Sequence, residues 1–393
     1  MPNVKRGMMG AAGAAGGGSA SQGTLWTWGE NAAGQLGHGN TTGLSSAAQL
    51  GSNTDWQSVD LDDYGICKIA CSGSAVLAVD GDGKLWTWGS GTDGRGGRGN
   101  TDHVCVPTQV GTATDWSTVG GGYTMWAVKT TGEYWFIGGG NSFGQAGQNS
   151  TSISYYSSPM QIGTDTFWVK VYGSNYTSYA ITNHGTNGAG RLYSLGSDTY
   201  GQLGHGTQYV YTSLPSQVGT DVTWTQVSAG NLHVLAIKSD GTLWAWGQNN
   251  KGQLGTNNTT NYCSPVQIGA AEWAYVSCDW QRSVHAVKTD GTLWGWGYNY
   301  YGSVGDGSTT DRSSPVQIGS LTDWKLVGSN SYTPTAIKTD GTLWSWGRGG
   351  TGNLGDGTTA NRSSPVQVGS DTDWVSFGPN NQGWFKAGAI KSP

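Results

Sequence analysis

A seven-residue phrase that recurs along the chain constrains its fold more than any other feature. The phrase reads GTLWAWG at residues 241–247. Near copies occupy 23–29, 83–89, 291–297 and 341–347, with weaker copies, GEYWFIG and GRLYSLG, at 132–138 and 190–196. Successive copies are 49 to 60 residues apart, so the chain contains seven units of about 50 residues. Such repetition predicts one array of repeats, although 393 residues could otherwise form two or three domains.

Each unit carries the signals of short antiparallel strands. Asp240-Gly241, Asp290-Gly291 and Asp340-Gly341 lie between apolar runs and indicate hairpin turns. Alternation in LWSWG at 343–347 places its two tryptophans on one face of a strand. Composition agrees, with 68 Gly and 21 Trp but only 11% charged residues. Seventeen of the tryptophans fall at repeated positions and are expected between blades. We predict an all-β, seven-bladed β-propeller with four antiparallel strands per blade.

The two ends of the chain each carry half of a repeat. Residues 374–391 contain the first two strands of a unit but lack its GTLWxWG strand, whereas residues 23–50 begin with that strand. We therefore expect the N- and C-terminal strands to share the first blade, which would close the ring without a free edge. On this scheme residues 21–393 form the propeller and residues 1–20 form a Gly/Ala-rich N-terminal arm.

One unit matches a known repeat at almost every position. The pattern W…G…HT.A…DG.L..WG.N..GQLG.G is met by Trp224, Gly230, His233, Ala236, Asp240-Gly241, Trp246-Gly247, Asn249 and Gly252-Gln253-Leu254-Gly255. The chain thus resembles the regulator-of-chromosome-condensation repeat family over about residues 20–393. The resemblance implies a seven-bladed propeller. Members of the family include a nucleotide-exchange factor for a small GTPase, a plant ultraviolet photoreceptor and a secreted β-lactamase inhibitor.

The sequence lacks features of each of these members, so we expect a different function. The chain lacks the long insertion and charged face of the exchange factor and the repeated GWRHT motif of the photoreceptor. Lys5 and Arg6 precede a Gly/Ala stretch that makes a poor signal-peptide core. Short units rich in Gly, Ser, Thr and Asn resemble propellers of bacteria and their viruses, and a Gly/Ala-rich arm resembles structural proteins of phage particles.

The resulting main hypothesis is a non-enzymatic phage virion component, either a tail fibre or adhesin or a capsid decoration protein. It would assemble in the host cytoplasm and bind other virion proteins through the arm, including Lys5, Arg6, Met8 and Met9. Its loops would recognise a host surface receptor or glycan. The alternative is a soluble regulatory or inhibitory propeller, cytoplasmic or secreted, that binds one protein partner as a GTPase regulator or an enzyme inhibitor does.

Several function classes find no support in the sequence. A net charge of -5 without a basic stripe argues against nucleic-acid binding. No apolar run approaches the roughly 18 residues of a membrane helix, so we expect no membrane insertion. The five cysteines do not follow the repeat, and no HExxH, GxSxG or P-loop motif occurs. The acidic run at 80–83 occupies the register of the hairpin turn rather than that of a calcium loop. We expect no catalytic site, metal or cofactor.

The loops that vary between units mark the candidate binding face. If the four strands are called a to d, the a–b and c–d loops open on one face of the ring and diverge, whereas the b–c turns and d–a links on the other face repeat almost verbatim. Constant strands with diversified tips are typical of a recognition surface. We predict that Trp280, Tyr298, Tyr300, Tyr301 and Tyr332 form one aromatic patch, suited to sugar rings or a protein loop. The remaining candidates on this face are Arg282, Tyr123, Tyr176, Tyr200 and Phe143.

Overall fold

The computed structural model describes residues 22–57, 68–183, 189–377, 382–383 and 386–392. The described residues are all-β apart from one short 3₁₀ turn at Thr92–Gly94. Among them, no helix has the length and apolar character needed to cross a bilayer. The predicted arm at residues 1–20, with its anchor residues Lys5, Arg6, Met8 and Met9, lies outside the described residues.

The strands are short and follow one another at regular intervals. Those of the first half of the chain are β1 (Gln22–Gly29), β2 (Leu44–Gln49), β3 (Trp56–Gln57), β4 (Ile69–Gly73), β5 (Ala75–Val79), β6 (Leu85–Gly89), β7 (Val104–Gln109), β8 (Trp116–Gly121), β9 (Met125–Lys129), β10 (Tyr134–Gly140), β11 (Tyr155–Tyr156), β12 (Met160–Gln161), β13 (Trp168–Gly173), β14 (Thr177–Thr182), β15 (Leu192–Gly196) and β16 (Thr212–Gln217). Those of the second half are β17 (Trp224–Ala229), β18 (His233–Lys238), β19 (Leu243–Gly247), β20 (Tyr262–Gln267), β21 (Trp273–Cys278), β22 (Ser283–Lys288), β23 (Leu293–Gly297), β24 (Arg312–Gln317), β25 (Trp324–Asn330), β26 (Thr333–Lys338), β27 (Leu343–Gly347), β28 (Arg362–Gln367), β29 (Trp374–Phe377), β30 (Gln382–Gly383) and β31 (Lys386–Lys391).

These strands form seven sheets, which are the seven predicted blades. Blades 4 to 7 each contain four consecutive antiparallel strands, from β13–β16 to β25–β28. Blade 2 is β4–β7 with β30 added in parallel beside β4, and the outer strand of blade 3 is divided into β11 and β12. The prediction of a seven-bladed propeller with four antiparallel strands per blade is confirmed.

The first blade is shared by the two ends of the chain. Its strand order is β2-β1-β31-β29, so a and b come from the C-terminal segment and c and d from the N-terminal one. The register runs from Thr24 opposite Lys391 to Gly29 opposite Lys386. The C-terminal strands a and b are thus completed by the N-terminal strands c and d, and the predicted closure is confirmed.

Neighbouring blades are joined through the second tryptophan of each LWxWG strand. The indole nitrogen of Trp246 donates a 2.8 Å hydrogen bond to the Gln202 carbonyl in the preceding blade, and that of Trp346 donates a 2.9 Å bond to Ser303. Both tryptophans are fully buried. The loop can approach this closely because it carries glycine: a Cβ on Gly305, whose φ is +89°, would lie 2.6 Å from the Trp346 nitrogen. The repeated GQLG loop is therefore an inter-blade joint.

The b–c turns and d–a links form the opposite face of the ring, which we call the constant face. On this face, lysines are held between tryptophan rings. The Lys238 ammonium lies 4.8 Å from the Trp224 ring centroid and 3.7 Å from that of Trp244. It also forms a 2.9 Å ion pair with Asp221. The same arrangement recurs in other blades with Lys129, Lys288, Lys338 and Lys391. Each lysine closes strand b and anchors it to strands a and c, so the verbatim repetition of this face has a structural cause.

Candidate functional site

The a–b and c–d loops form a surface that we call the variable face. In five of the seven c–d loops an Asn or Asp ahead of the loop tip belongs to the scaffold, as Asn299 illustrates. Its Oδ1 accepts a 2.8 Å hydrogen bond from the Val304 amide, and its Nδ2 donates to the Thr310 carbonyl at 3.0 Å. Asn299 is fully buried, whereas the next residue, Tyr300, is 65% exposed. Variation at the loop tips is therefore displayed on a fixed frame.

Four tyrosines meet on blades 6 and 7 and form what we call the tyrosine cluster. Its members are Tyr298, Tyr300, Tyr301 and Tyr332. The Tyr301 ring lies 4.9 Å from the rings of both Tyr300 and Tyr332 in edge-to-face geometry. Tyr298 lies 5.9 Å from Tyr332 and stacks on Tyr300 at 6.4 Å. Such pairs contribute about 0.5–1.5 kcal/mol each beyond their burial. The cluster is therefore a preorganised aromatic surface.

Tyr332 is positioned by contacts at both its ends. Its backbone has a φ of 63°, its amide donates to Asp279 Oδ2 at 3.3 Å, and its hydroxyl donates to Gln281 Oε1 at 2.9 Å. Burial, followed by the nearby Tyr298 and Asp279, raises the pKa of Tyr332 to about 12. The hydroxyl therefore remains a neutral donor at physiological pH.

Asp279 connects the a–b loops of blades 6 and 7. This carboxylate is fully buried and accepts hydrogen bonds from the Ser283 amide at 2.7 Å and from the Ser283 hydroxyl at 2.6 Å. Loss of solvation raises the pKa of Asp279 to about 7, and the Ser283 bonds only partly oppose that rise. A titratable group thus lies directly beneath the loop that carries Tyr332.

Arg282 is half-buried beside the same loops. Its Nε donates a 3.0 Å hydrogen bond to Gln248 Oε1, and its carbonyl accepts one from the Tyr298 amide at 3.0 Å. The φ of Arg282 is 78°, a left-handed value like that of Tyr332. Two non-glycine residues thus adopt this rare conformation at equivalent positions of adjacent blades, which turns their side chains in a common direction.

A cavity of about 530 Å³ opens among the a–b loops, and we call it the central cavity. This volume lies within the range typical of ligand sites. Its described lining comes from blades 2 to 6 and consists of Gly73, Ser74, Arg95, Gly122, Tyr123, Asn175, Tyr176, Asn231 and Trp280. The lining is therefore aromatic and amide-rich, and it contains one guanidinium group.

Arg95 occupies the register at which four other blades have the glutamine of GQLG. In those blades the glutamine Oε1 accepts a loop amide, as Gln253 does from Lys251 at 2.7 Å. Arginine has no acceptor, and the loop residue of blade 2 that corresponds to Lys251, Asp93, has a φ of 55°. The Arg95 guanidinium lies 4.5 Å from the centre of the Tyr123 ring. The repeat is therefore altered at the point where it meets the cavity.

A second aromatic group, which we call the Tyr123–Phe143 aromatic group, extends from the central cavity toward the outer rim of the ring. Tyr176 lies 5.2 Å from Tyr123 and 5.1 Å from Phe143, and Phe143 lies 6.4 Å from Tyr211. Tyr211 is 57% exposed. Aromatic side chains therefore continue from the lining of the cavity across blades 3 and 4 to the outside of the ring.

The structure places the predicted site residues in two groups. Tyr298, Tyr300, Tyr301 and Tyr332 lie together in the tyrosine cluster, and Trp280, predicted to join the same patch, lines the central cavity with Tyr123 and Tyr176. Tyr200 is half-buried, and its amide donates to Gln202 Oε1 at 2.8 Å.

Sequence reasoning missed Arg95, Asn175, Asn231 and Tyr211. The signal for Arg95 was available, because the second unit alone has a charged residue at this position, where the others have Gln, Ser or Asn. No comparable repeat signal marks the asparagines, which lie in short a–b loops without a fixed residue at their positions.

Three carboxylates on the constant face were the remaining candidate for a metal site. Oxygens of Asp55, Asp80 and Asp82 lie within 4.8 Å of one another. Asp80 accepts hydrogen bonds from the Asp82 and Lys84 amides at 3.1 and 2.9 Å and from the Trp86 indole at 2.7 Å. Lys84 forms a 2.7 Å ion pair with Asp82. These contacts make Asp80 and Asp82 parts of a braced hairpin turn, beside which Asp55 lies in the preceding d–a link.

Comparison with curated proteins finds relatives that share part of this chain. The ultraviolet-B receptor UVR8 of Arabidopsis thaliana is 29% identical over 274 residues, which cover 66% of this chain and 58% of the receptor. The E3 ubiquitin-protein ligase HERC2 of Homo sapiens is 28% identical over 262 residues, which cover 64% of this chain but 5% of the ligase. The chain thus spans little more than half of the first relative and a small part of the second.

Solved structures confirm the architecture over nearly the whole chain. Human WBSCR16 superposes with a TM-score of 0.79 at 20% identity, covering 94% of this chain and 99% of that one. Prp20p from Saccharomyces cerevisiae superposes with a TM-score of 0.76 at 17% identity, covering 95% and 92%. At these identities the likeness establishes the fold alone. A family model for the RCC1-like domain matches residues 24–382. The chain therefore belongs to the RCC1-like domain family.

Proposed function

We propose that this chain is a regulatory or inhibitory propeller that binds one protein partner across its variable face. The observation that carries the proposal is the position of the central cavity. The a–b loops of several blades meet there, and the tyrosine cluster and the Tyr123–Phe143 aromatic group lie on the same face. A protein partner could insert one loop into the cavity and cover the surrounding aromatic residues.

The chemistry of the surface supports a protein ligand. Interfaces are enriched in Tyr, Trp and Arg, and their strongest contacts lie near the centre, where water is excluded. On the variable face, Trp280, Arg95 and Tyr123 line the centre, and Tyr300 lies farther out.

Relatives in the family provide further support. The structure of Prp20p was described together with its binding to Gsp1p and histones, and yeast RCC1 was solved bound to Kap60. Those proteins, which share this fold, bind other proteins. The hypothesis of a phage virion protein depends instead on residues 1–20, outside the described residues, and the relatives found offer it no support. We therefore adopt the binding of a protein partner as the function.

The two faces of the ring provide the test. Wild-type protein would be used for affinity capture alongside a variable-face variant, Tyr123→Ser/Tyr300→Ser, and a constant-face variant, Val222→Ser/Leu321→Ser. Val222 and Leu321 are 40% and 46% exposed, so the control also removes exposed apolar surface. We expect a partner that the wild type and the constant-face variant retain and the variable-face variant loses. Loss with the constant-face variant alone, or equal retention by all three proteins, would contradict the proposal.

A further inference from the structure

We infer that the central cavity binds the carboxylate of an acidic side chain from the protein partner, with Arg95 as its counter-ion. This inference depends on the proposed function, since it specifies the chemistry of the partner's inserted loop. Arg95 is the charged residue among the described residues that line the cavity. Arginine presents its donors in a planar fork that matches a carboxylate.

The guanidinium of Arg95 is buried but only partly neutralised. The residue is 6% exposed, its Nε donates a 2.9 Å hydrogen bond to the Thr92 carbonyl, and one face of the group packs on the Tyr123 ring. Its ion pair with Asp93 is long, at 3.4 Å, and Asp93 is 37% exposed. The Asp93 carboxylate also accepts the Tyr123 hydroxyl at 3.1 Å. Because Arg95 has five N–H donors and Asp93 takes up one of them at the limit of hydrogen-bond distance, the guanidinium keeps donors for a second anion.

Unused donors of Arg95 lie at the cavity wall. The Nη1 atom is 3.2 Å from the point where a Cβ would lie on Gly73, which also lines the cavity and has a φ of 50°. A side chain at Gly73 would therefore crowd the guanidinium. Within the described part of the chain, no protein acceptor is within hydrogen-bond distance of Nη1. An incoming carboxylate can use this atom.

The rest of the lining suits the backbone around an acidic residue. The side-chain oxygen of Asn231 is buried and lacks a hydrogen-bond partner among the described residues, so it can accept a peptide N–H. Tyr176 and Trp280 offer aromatic walls for the aliphatic part of the inserted residue. A volume of about 530 Å³ holds a loop tip of a few residues rather than one ion. A single guanidinium matches the charge of one carboxylate better than that of a phosphate dianion.

The experiment measures binding of defined carboxylate probes to the whole protein. N-acetyl-glutamate amide and its neutral isostere, N-acetyl-glutamine amide, are titrated while the indole N–H signal of Trp280 is followed by NMR. That signal is assigned by its disappearance in Trp280→Phe. We expect a saturable shift with the acidic probe at a concentration about tenfold lower than with the amide, as a charge-assisted hydrogen bond provides.

Two arginine variants make the result specific. Arg95→Gln should fold, because other blades have glutamine at this register, and it should abolish the preference for the acidic probe. Arg98→Gln removes a charge from the same loop outside the lining and should retain the preference. Equal responses to the two probes, no response, persistence in Arg95→Gln, or a stronger response to inorganic phosphate would each overturn the inference. None of these outcomes decides the face-dependent capture experiment, so failure of the inference and failure of the proposed function are distinguishable.

Discussion

The indole nitrogen of Trp28 donates a 2.9 Å hydrogen bond to the backbone carbonyl of Asn353, 325 residues later in the chain. Trp28 lies in the N-terminal strand of blade 1, and Asn353 lies in the c–d loop of blade 7. The contact repeats the one between Trp346 and Ser303 within the chain. The junction that closes the ring therefore uses the same joint as the junctions between successive blades.

Replacement of Trp28 by Phe should weaken this junction. The Asn353 carbonyl would lose a buried donor, and the smaller ring would leave unfilled space, so we expect a destabilisation of about 2–4 kcal/mol. Urea unfolding followed by circular dichroism measures the change. Trp26→Phe is the matched control, because Trp26 is half-buried and donates locally to Thr24. A loss no larger than that of the control would show that the joint contributes little.

The fold was predictable because the residues that specify each hairpin lie close together in the sequence and recur in seven units. Each Asp-Gly turn and each LWxWG strand fixes one hairpin, and the half repeats at the two ends fix the closure. The structure adds a feature that lies outside the repeat pattern, the parallel pairing of β30 with β4. Among the described residues, no a–b loop of another unit pairs in this way, so comparison of units could not reveal it.

The candidate site was predictable only in part. The tyrosine cluster was expected, because its members occupy neighbouring tips on a known register. The position of Trp280 in the lining of the central cavity was not predictable, because the direction of a side chain in a short loop depends on backbone angles such as the φ of 78° at Arg282, which the sequence does not specify. Arg95 was visible as an exception to GQLG, yet its orientation toward the cavity depends on the loops of other blades.

Tyr300 should contribute more to binding than to stability. It is 65% exposed but makes ring contacts with Tyr298 and Tyr301, so Tyr300→Ala should lower the free energy of unfolding by about 1 kcal/mol, the lower limit for two aromatic pairs. In the interface, loss of an exposed aromatic anchor should weaken partner binding by about 2 kcal/mol, or roughly thirtyfold. Calorimetric titration of the captured partner measures the loss. Leu321→Ala on the constant face should leave the affinity unchanged, and an equal loss in both variants would contradict the assignment of Tyr300 to the interface.

Asp279 should make the protein more stable as the pH falls from about 7 to about 4. Its folded pKa of about 7 lies above the ordinary value of 3.8. The folded state therefore takes up a proton in this interval that the unfolded state does not. Relative to Asp279→Asn, the wild type should gain up to about 4 kcal/mol, as denaturant midpoints measured across the interval would show. Asp290→Asn is the opposite control, because bonds from Thr292 lower the pKa of Asp290, and that contribution is lost on acidification.

His285 should act in the opposite direction over almost the same interval. It is buried between the Ser303 carbonyl at 2.7 Å and the Ser329 hydroxyl at 2.9 Å, and loss of solvation lowers its pKa from 6.5 to about 4. Below pH 6.5 His285 is protonated in the unfolded chain but not in the folded chain. The free energy of unfolding therefore falls until the pH reaches about 4.

His285→Leu introduces the residue that the neighbouring blade has at this register, Leu235, and the Ser303 carbonyl keeps its bond from Trp346. The variant should therefore lose less stability than the wild type between about pH 7 and about pH 4, by up to about 3 kcal/mol. Urea midpoints at the two ends of this interval provide the measurement. Any contribution from the buried His233, whose pKa is also lowered, is common to both proteins and cancels in the comparison. Parallel acid losses in the two proteins would show that His285 is not an origin of the acid sensitivity.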